Sequence, residues 1–295
     1  MERYLQAVIF GVGFGLVSRY LMLRSDYRQY PAYPHGYVTH LSLGLIAAVL
    51  GALAVPALLE KEFTAVTFLS LAATQFRDIR EMERKTLANL DLSNLVPRGP
   101  DYIEGIARVF EARNYLVMLI ALVVSTVTYY AQLWGLAAGA ATLAAALRLM
   151  GGQVIQDIAT VRPAEIRFEG PNVFVDNIHF MNLAREEVHR AVLERGLGAI
   201  IEPHDDDARS ILGNNGQRMA IAHDVAVQLG IYKDVDTAEF TPILRRDLDT
   251  GRVGLLIVPL ERDMECLLAA VRRVPVLESS VSRPLQSRAG RGAAD

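Results

Sequence analysis

The chain has 295 residues, 52% of them hydrophobic and 21% charged, and a mean hydropathy of +0.23, which fits a membrane protein carrying a soluble domain, with length for about two domains. A net charge of −3, a pI near 6.1 and the lack of a basic stripe interleaved with aromatics argue against a nucleic-acid binder. A single cysteine, Cys266, excludes an internal disulfide framework.

The long apolar runs lie in the first 150 residues. Leu5 to Met22 is the first predicted span, with Gly11 and Gly15 four apart so that a neighbouring helix backbone can approach. Arg19, Tyr20, Met22 and Arg24 stand where a signal peptide would need a small-residue cleavage site, so the segment is expected to be retained. Arg19 itself suits a snorkelling anchor. The loop from Arg24 to Gly36, rich in Tyr and Pro, is expected to be non-helical and interfacial. Tyr37 to Leu59 is the second span, and His40 near its start suits an imidazole facing the interface, with a proton-responsive group as the alternative. Phe63 to Phe76 is apolar but diluted by Thr64, Thr67, Ser70, Thr74 and Gln75, and it runs without a breaker into the mixed charges from Arg77 to Lys85. It reads as an interfacial or half-buried helix, or as a further span.

From Tyr115 to Leu147 there is no charge. One helix of that length would reach roughly 50 Å, too long for a hydrocarbon core about 30 Å thick. Tyr129, Tyr130, Gln132, Trp134 and Gly135 mark where the chain would surface and turn, giving a hairpin of two short spans between Arg113 and Arg148. The eight Lys and Arg between Lys61 and Arg113 place that segment in the cytoplasm, and the C-terminal half with it. The predicted architecture is an N-terminal α-helical membrane bundle of four spans, or five, over residues 1–152, with a cytoplasmic helical segment at about 60–114. A C-terminal α+β cytoplasmic domain follows over 153–278, then a disordered tail over 279–295.

Within the α+β half, Ala164 to Phe168 and Val173 to Phe180 have strand composition around a turn at Glu169 to Asn172. Arg185 to Arg195 has helical apolar spacing ended by Gly196, and Ala199 to Ile201 is a short buried strand. Pro242 to Leu248, a turn at Asp249 to Arg252, Val253 to Pro259, a helix from Asp263 to Arg273 and Val274 to Leu277 repeat the order strand, strand, helix, strand. A duplication around a helical insert is one reading of that order.

Chemistry-bearing clusters are few. His204, Asp205, Asp206 and Asp207 have metal-binding side chains, but adjacent loop residues seldom converge on one ion, and the pattern suits a helix cap. Asn214 to Arg218 is a turn entering the helix Met219 to Leu229, with donors for an anion but without the spacing of a phosphate loop. His223 and Asp224 are adjacent and so point in different directions, and no nucleophile accompanies them. No catalytic residue, metal site or cofactor is therefore assigned. Gln217, Arg218, His223 and Asp224 form the candidate ligand or partner site.

The pentapeptide Tyr102, Ile103, Glu104, Gly105, Ile106, together with the strings from Asp26 to Pro31, Lys61 to Phe68, Phe110 to Asn114, and Glu169 to Pro171 with Asp176, resembles the YIEGI family of multi-pass membrane proteins of endospore-forming Firmicutes. The likeness runs to about Glu278. It implies a bacterial cytoplasmic-membrane protein linked to sporulation, and no activity, cofactor or catalytic residue. Physically, Pro100 and Asp101 suit a helix start, Tyr102 a headgroup-level aromatic, Ile103 and Ile106 contacts with lipid or protein, and Glu104 an ion pair with Arg108. The pentapeptide either orients the entry of the hairpin or couples the soluble domain to the bundle. The preferred function is a non-enzymatic regulatory or scaffolding protein whose partners are the lipid bilayer and another membrane or cytoplasmic protein, with no nucleic acid. A channel or transporter component comes second and a membrane-bound metal-dependent enzyme third.

Overall fold

The computed structural model describes residues 2–26, 34–149, 151–232 and 242–281. The chain divides into two units, residues 1–86 with 106–151 and residues 87–105 with 152–295. The division falls inside two helices, so residues 87–105 belong with the α+β half instead of with the helices that flank them in sequence.

The first unit is helical: α1 (Glu2–Asp26), α2 (Pro34–Leu59), α3 (Phe63–Asp91), α4 (Pro100–Ala131) and α5 (Trp134–Leu149). Three segments, Glu2–Leu23, Gly36–Leu59 and Pro100–Ala131, are long and apolar enough to cross a membrane. The 16 residues of α5 reach roughly 24 Å, short of a core about 30 Å thick. The expected turn between Tyr129 and Gly135 is present, made by Gln132 and Leu133 with Gln132 at φ 23°. Small residues let the backbones meet, as helices in apolar surroundings require. A Cβ on Gly51 would lie 2.1 Å from the Met118 carbonyl oxygen, and one on Gly15 would lie 2.7 Å from the Ala48 Cβ. Around these contacts Ala47, Ala48, Ala52, Val117, Ile120, Ala121 and Val124 form a buried core, while Ile9, Val38 and Leu119 stay more than half exposed, as residues that face lipid would. The ambiguous stretch from Phe63 continues unbroken through its charged end. There Glu81 pairs with Arg84 at 2.7 Å, and Arg80 ties α3 to Glu111 of α4 at 3.0 Å.

The second unit follows α6 (Ile155–Ile158). Strands β1 (Ala159–Ala164), β5 (Leu197–Pro203), β7 (Val253–Ile257) and β6 (Ile243–Arg246) form an antiparallel sheet in that spatial order. Strands β2 (Ile166–Glu169), β3 (Asn172–Val175) and β4 (Ile178–Asn182) form a second antiparallel sheet. The second sheet covers one face of the first, with Phe180 lying on Gly254 and Val173, Val175, Ile178, Ile200 and Leu256 in a shared core. All five residues of β7 are buried, so its other face also needs cover. The helices α8 (Asp206–Gly213), α9 (Asn215–Leu229) and α10 (Met264–Arg273) pack on this sheet, and α7 (Glu186–Arg195) packs on β2.

Several elements differ from the expectation. Val173 to Phe180 is two strands, because Asp176 takes a left-handed φ of 54°, a conformation Asp tolerates in turns. Val274 to Leu277 forms no strand among the described residues beyond one bridge between Val154 and Pro275. Strand β1 was hidden by Pro163, which is tolerated because β1 lies at the edge of its sheet. The two halves do not repeat: β2 and β3 join their own sheet, whereas β6 and β7 join β5. Of the expected tail, Glu278–Ser280 is a short helical turn with Ser280 buried. The remainder of the tail from 282, and residues 27–33 of the aromatic loop, lie outside the described residues.

Candidate functional site

The segment 87–105 reaches α9 through a loop that one carboxylate organises. Asp91, near the end of α3, accepts hydrogen bonds from the backbone N–H groups of Arg98 at 2.8 Å and Gly99 at 3.2 Å. Gly99 takes a left-handed φ of 88° and rests on Met219. The helix that follows starts at Pro100, as expected of a residue whose missing N–H is harmless in a first turn. Asp101 lies against Gly216, where a Cβ would fall 2.1 Å from its carboxylate. A negative charge is favoured there by the N-terminal end of α9. Gly216, Met219 and His223, spaced as neighbours on one helical face, thus form the stripe that receives this segment.

At the centre of that contact is Tyr102. Its ring is 2% exposed, and its hydroxyl donates to the Asp224 carboxylate, 3.3 and 3.4 Å from the two oxygens. Burial pushes the Asp224 carboxyl up from 3.8 to about 6, while the Tyr102 hydroxyl and the charge of Arg98 pull it down. His223 turns the other way. Its Nδ1 lies 2.7 Å from the Val96 carbonyl oxygen, so that nitrogen carries the proton and donates it. Burial holds the imidazole below its usual range, opposed by the same hydrogen bond. Ile103 and Ile106 are buried, and Glu104 and Arg108 each make electrostatic or hydrogen-bond contacts. Gly105 has nothing within 4 Å of where a Cβ would stand, and nothing in the structure explains that glycine.

The model of the YIEGIA protein family matches residues 7–287. This chain belongs to the YIEGIA family. The family's name spells Tyr102 to Ala107, one residue beyond the pentapeptide singled out above. The uncharacterized protein YphB of Bacillus subtilis (strain 168) is 44% identical over 287 residues, covering 97% of each chain. No solved structure matches.

The other candidate residues of this YIEGIA family member are dispersed. Gln217 is fully buried and its amide is used within the fold. Its Nε2 donates to the Pro275 carbonyl at 3.0 Å, and its Oε1 accepts from the Leu277 N–H at 2.7 Å and the Ser280 hydroxyl at 3.2 Å. Arg218 faces Arg246, and both burial and that neighbouring charge disfavour its protonated form. Asp205 caps α8 by accepting from the Ala208 N–H at 2.7 Å, and His204 turns to Thr160 at 3.1 Å, so the acidic run is dispersed as well.

Two residues of the helical unit, Arg19 and His40, are buried where a place at the interface was expected. Arg19 is fully buried instead of snorkelling, and its Nη2 lies 2.8 Å from His40 Nδ1, between α1 and α2. Gly44 leaves room for its stem, and its guanidinium stands 5.7 Å from the Phe110 ring centroid. Arg19 and His40 each look like helix-end residues when read alone, and no local signal joins them.

Proposed function

We propose that this is a multi-pass membrane protein that works as a regulatory or scaffolding device, with its α+β domain in the cytoplasm receiving a partner or small ligand. The observation that carries it is the Tyr102 to Asp224 hydrogen bond. It is made by the first turn of α4, a helix that begins within the α+β unit and continues as one of the segments long and apolar enough to cross a membrane. A change at α9 therefore reaches an apolar helix through covalent continuity, which is the coupling role for the motif. Chemistry is not needed for this reading, because Tyr102, His223 and Asp224 are bonded within the fold.

Tyr102→Phe tests it, because only the hydroxyl is lost. With the full chain in lipid nanodiscs, the variant should be less stable by about 1 kcal/mol, and amide exchange should rise both in α9 and in residues 106–115 of α4. Faster exchange confined to α9 would sink the coupling. Cysteine accessibility at residues 2, 61 and 133 in a Cys266-free background tests the topology, with position 61 expected on the cytoplasmic side. The link to sporulation follows from the family resemblance, and a deletion strain forming heat-resistant spores at the parental frequency removes it.

The buried Arg19 and His40 pair favours a second reading, a channel or transporter component, since ionisable groups among membrane helices mark polar pathways. A proteoliposome flux abolished by Arg19→Gln would establish it.

A further inference from the structure

A groove of about 440 Å³ opens on the α+β unit, with Arg209, Gly213, Asn214 and Arg246 in its wall. Arg209 is fixed there, its Nη2 donating to the carbonyls of Leu248 at 2.9 Å and Asp249 at 2.7 Å. Arg246 comes so close to Gly213 that a Cβ on that residue would lie 2.6 Å from its Nη1. The Nε of Arg246 is buried and has no hydrogen-bond partner among the described residues, and the same holds for the Nε of its neighbour Arg218. A buried donor without an acceptor is costly, and two like charges side by side add repulsion. Asp206 is the carboxylate in the groove wall, and among the described residues it forms no ion pair with any of the three arginines. Among the described residues the groove wall thus carries Arg209 and Arg246 against the one carboxylate of Asp206, with Arg218 beside Arg246 outside the wall.

We propose that this groove binds a small phosphate-bearing anion, with Arg246 and Arg209 of its wall as charge partners and Arg218, outside the wall, adding positive charge beside Arg246. Guanidinium forks match phosphate oxygens in geometry as well as charge, and a doubly charged anion balances the surplus that one carboxylate does not. The proposal names the ligand class for the domain described above and rests on that reading of it as a ligand-receiving domain.

The test uses the full chain in zwitterionic nanodiscs, with inorganic phosphate and pyrophosphate against chloride at matched ionic strength, read by calorimetry and thermal unfolding. Phosphate should raise the unfolding temperature of the wild type. Arg218→Gln and Arg246→Gln should each weaken binding roughly tenfold or more, and Arg246→Lys, which keeps the charge and loses the fork, should fall between. Without phosphate, Arg218→Gln should be no less stable than the wild type because a repulsion is relieved, and this separates a binding role from a structural one. A parallel arm replaces part of the lipid by phosphatidylglycerol. If the headgroup is the source, that lipid lowers the phosphate response by occupying the groove. A wild type that responds to none of these anions, or a phosphate response unchanged in both glutamine variants, overturns the proposal. Either failure leaves the exchange result for Tyr102→Phe intact, and failure of that result leaves the phosphate response intact.

Discussion

Gln217→Leu should destabilise the α+β unit by about 3 kcal/mol or more, since each buried polar group left without a partner costs roughly 1–3 kcal/mol. The shapes are similar, so packing changes little and the loss comes from the orphaned groups. The Leu277 N–H loses its acceptor and the Pro275 carbonyl its donor. Both belong to the segment that carries Val276, whose N–H bonds to the Gln153 carbonyl at 2.9 Å, so loosening should spread to the start of the unit. Urea unfolding of the detergent-solubilised chain, followed by amide exchange in β5 and β7, checks this. A variant with unchanged stability would show that the fold does not depend on these bonds.

The second large effect is a pH dependence centred on Asp224. Its carboxyl titrates near 6 in the folded chain against 3.8 ordinarily, so between those values the folded state holds a proton that the unfolded state has released. Stability from this group is therefore complete below pH 3.8 and is lost as pH rises through 6, by about 3 kcal/mol at about 1.4 kcal/mol per pH unit. His223 slopes the opposite way. Its folded value lies below 6.5, so the unfolded state binds the proton first and stability falls as pH drops below 6.5. Between pH 3.8 and 6 the two slopes oppose each other, so the wild type should show a shallow pH dependence there. Asp224→Asn, which still accepts from Tyr102, should remove the opposing slope, so that its stability falls more steeply than the wild type's as pH drops below 6.5, and should be the more stable protein at pH 8. Equal pH profiles for the two proteins, measured by thermal unfolding, would contradict the burial of this carboxylate.

How much of this could be read from the residues alone depends on sequence distance. The turn at Gln132 was legible because two tyrosines, a glutamine and a glycine interrupt an apolar run, and close helix contacts were legible in Gly11 and Gly15. The break at Asp176 was not, because the apolar alternation of Val173, Val175, Ile178 and Phe180 passes through it. The pair His223 and Asp224 stood out locally, but their partners Tyr102 and Val96 lie 122 and 127 residues away, and patterning carries nothing over that separation. Asp91, which shapes the intervening loop, resembles any helix-end acid until its two backbone N–H donors are seen. Arg19 and His40 were misjudged for the same reason, since a snorkelling arginine and a buried one have the same neighbours in sequence.

The rims of the larger β-sheet matter for how the protein behaves in company. One rim carries Pro163, which has no amide to offer an incoming chain, and the other, β6, is only four residues long. Among the described residues neither rim suits the addition of a further strand, so growth of fibrils through this sheet is disfavoured.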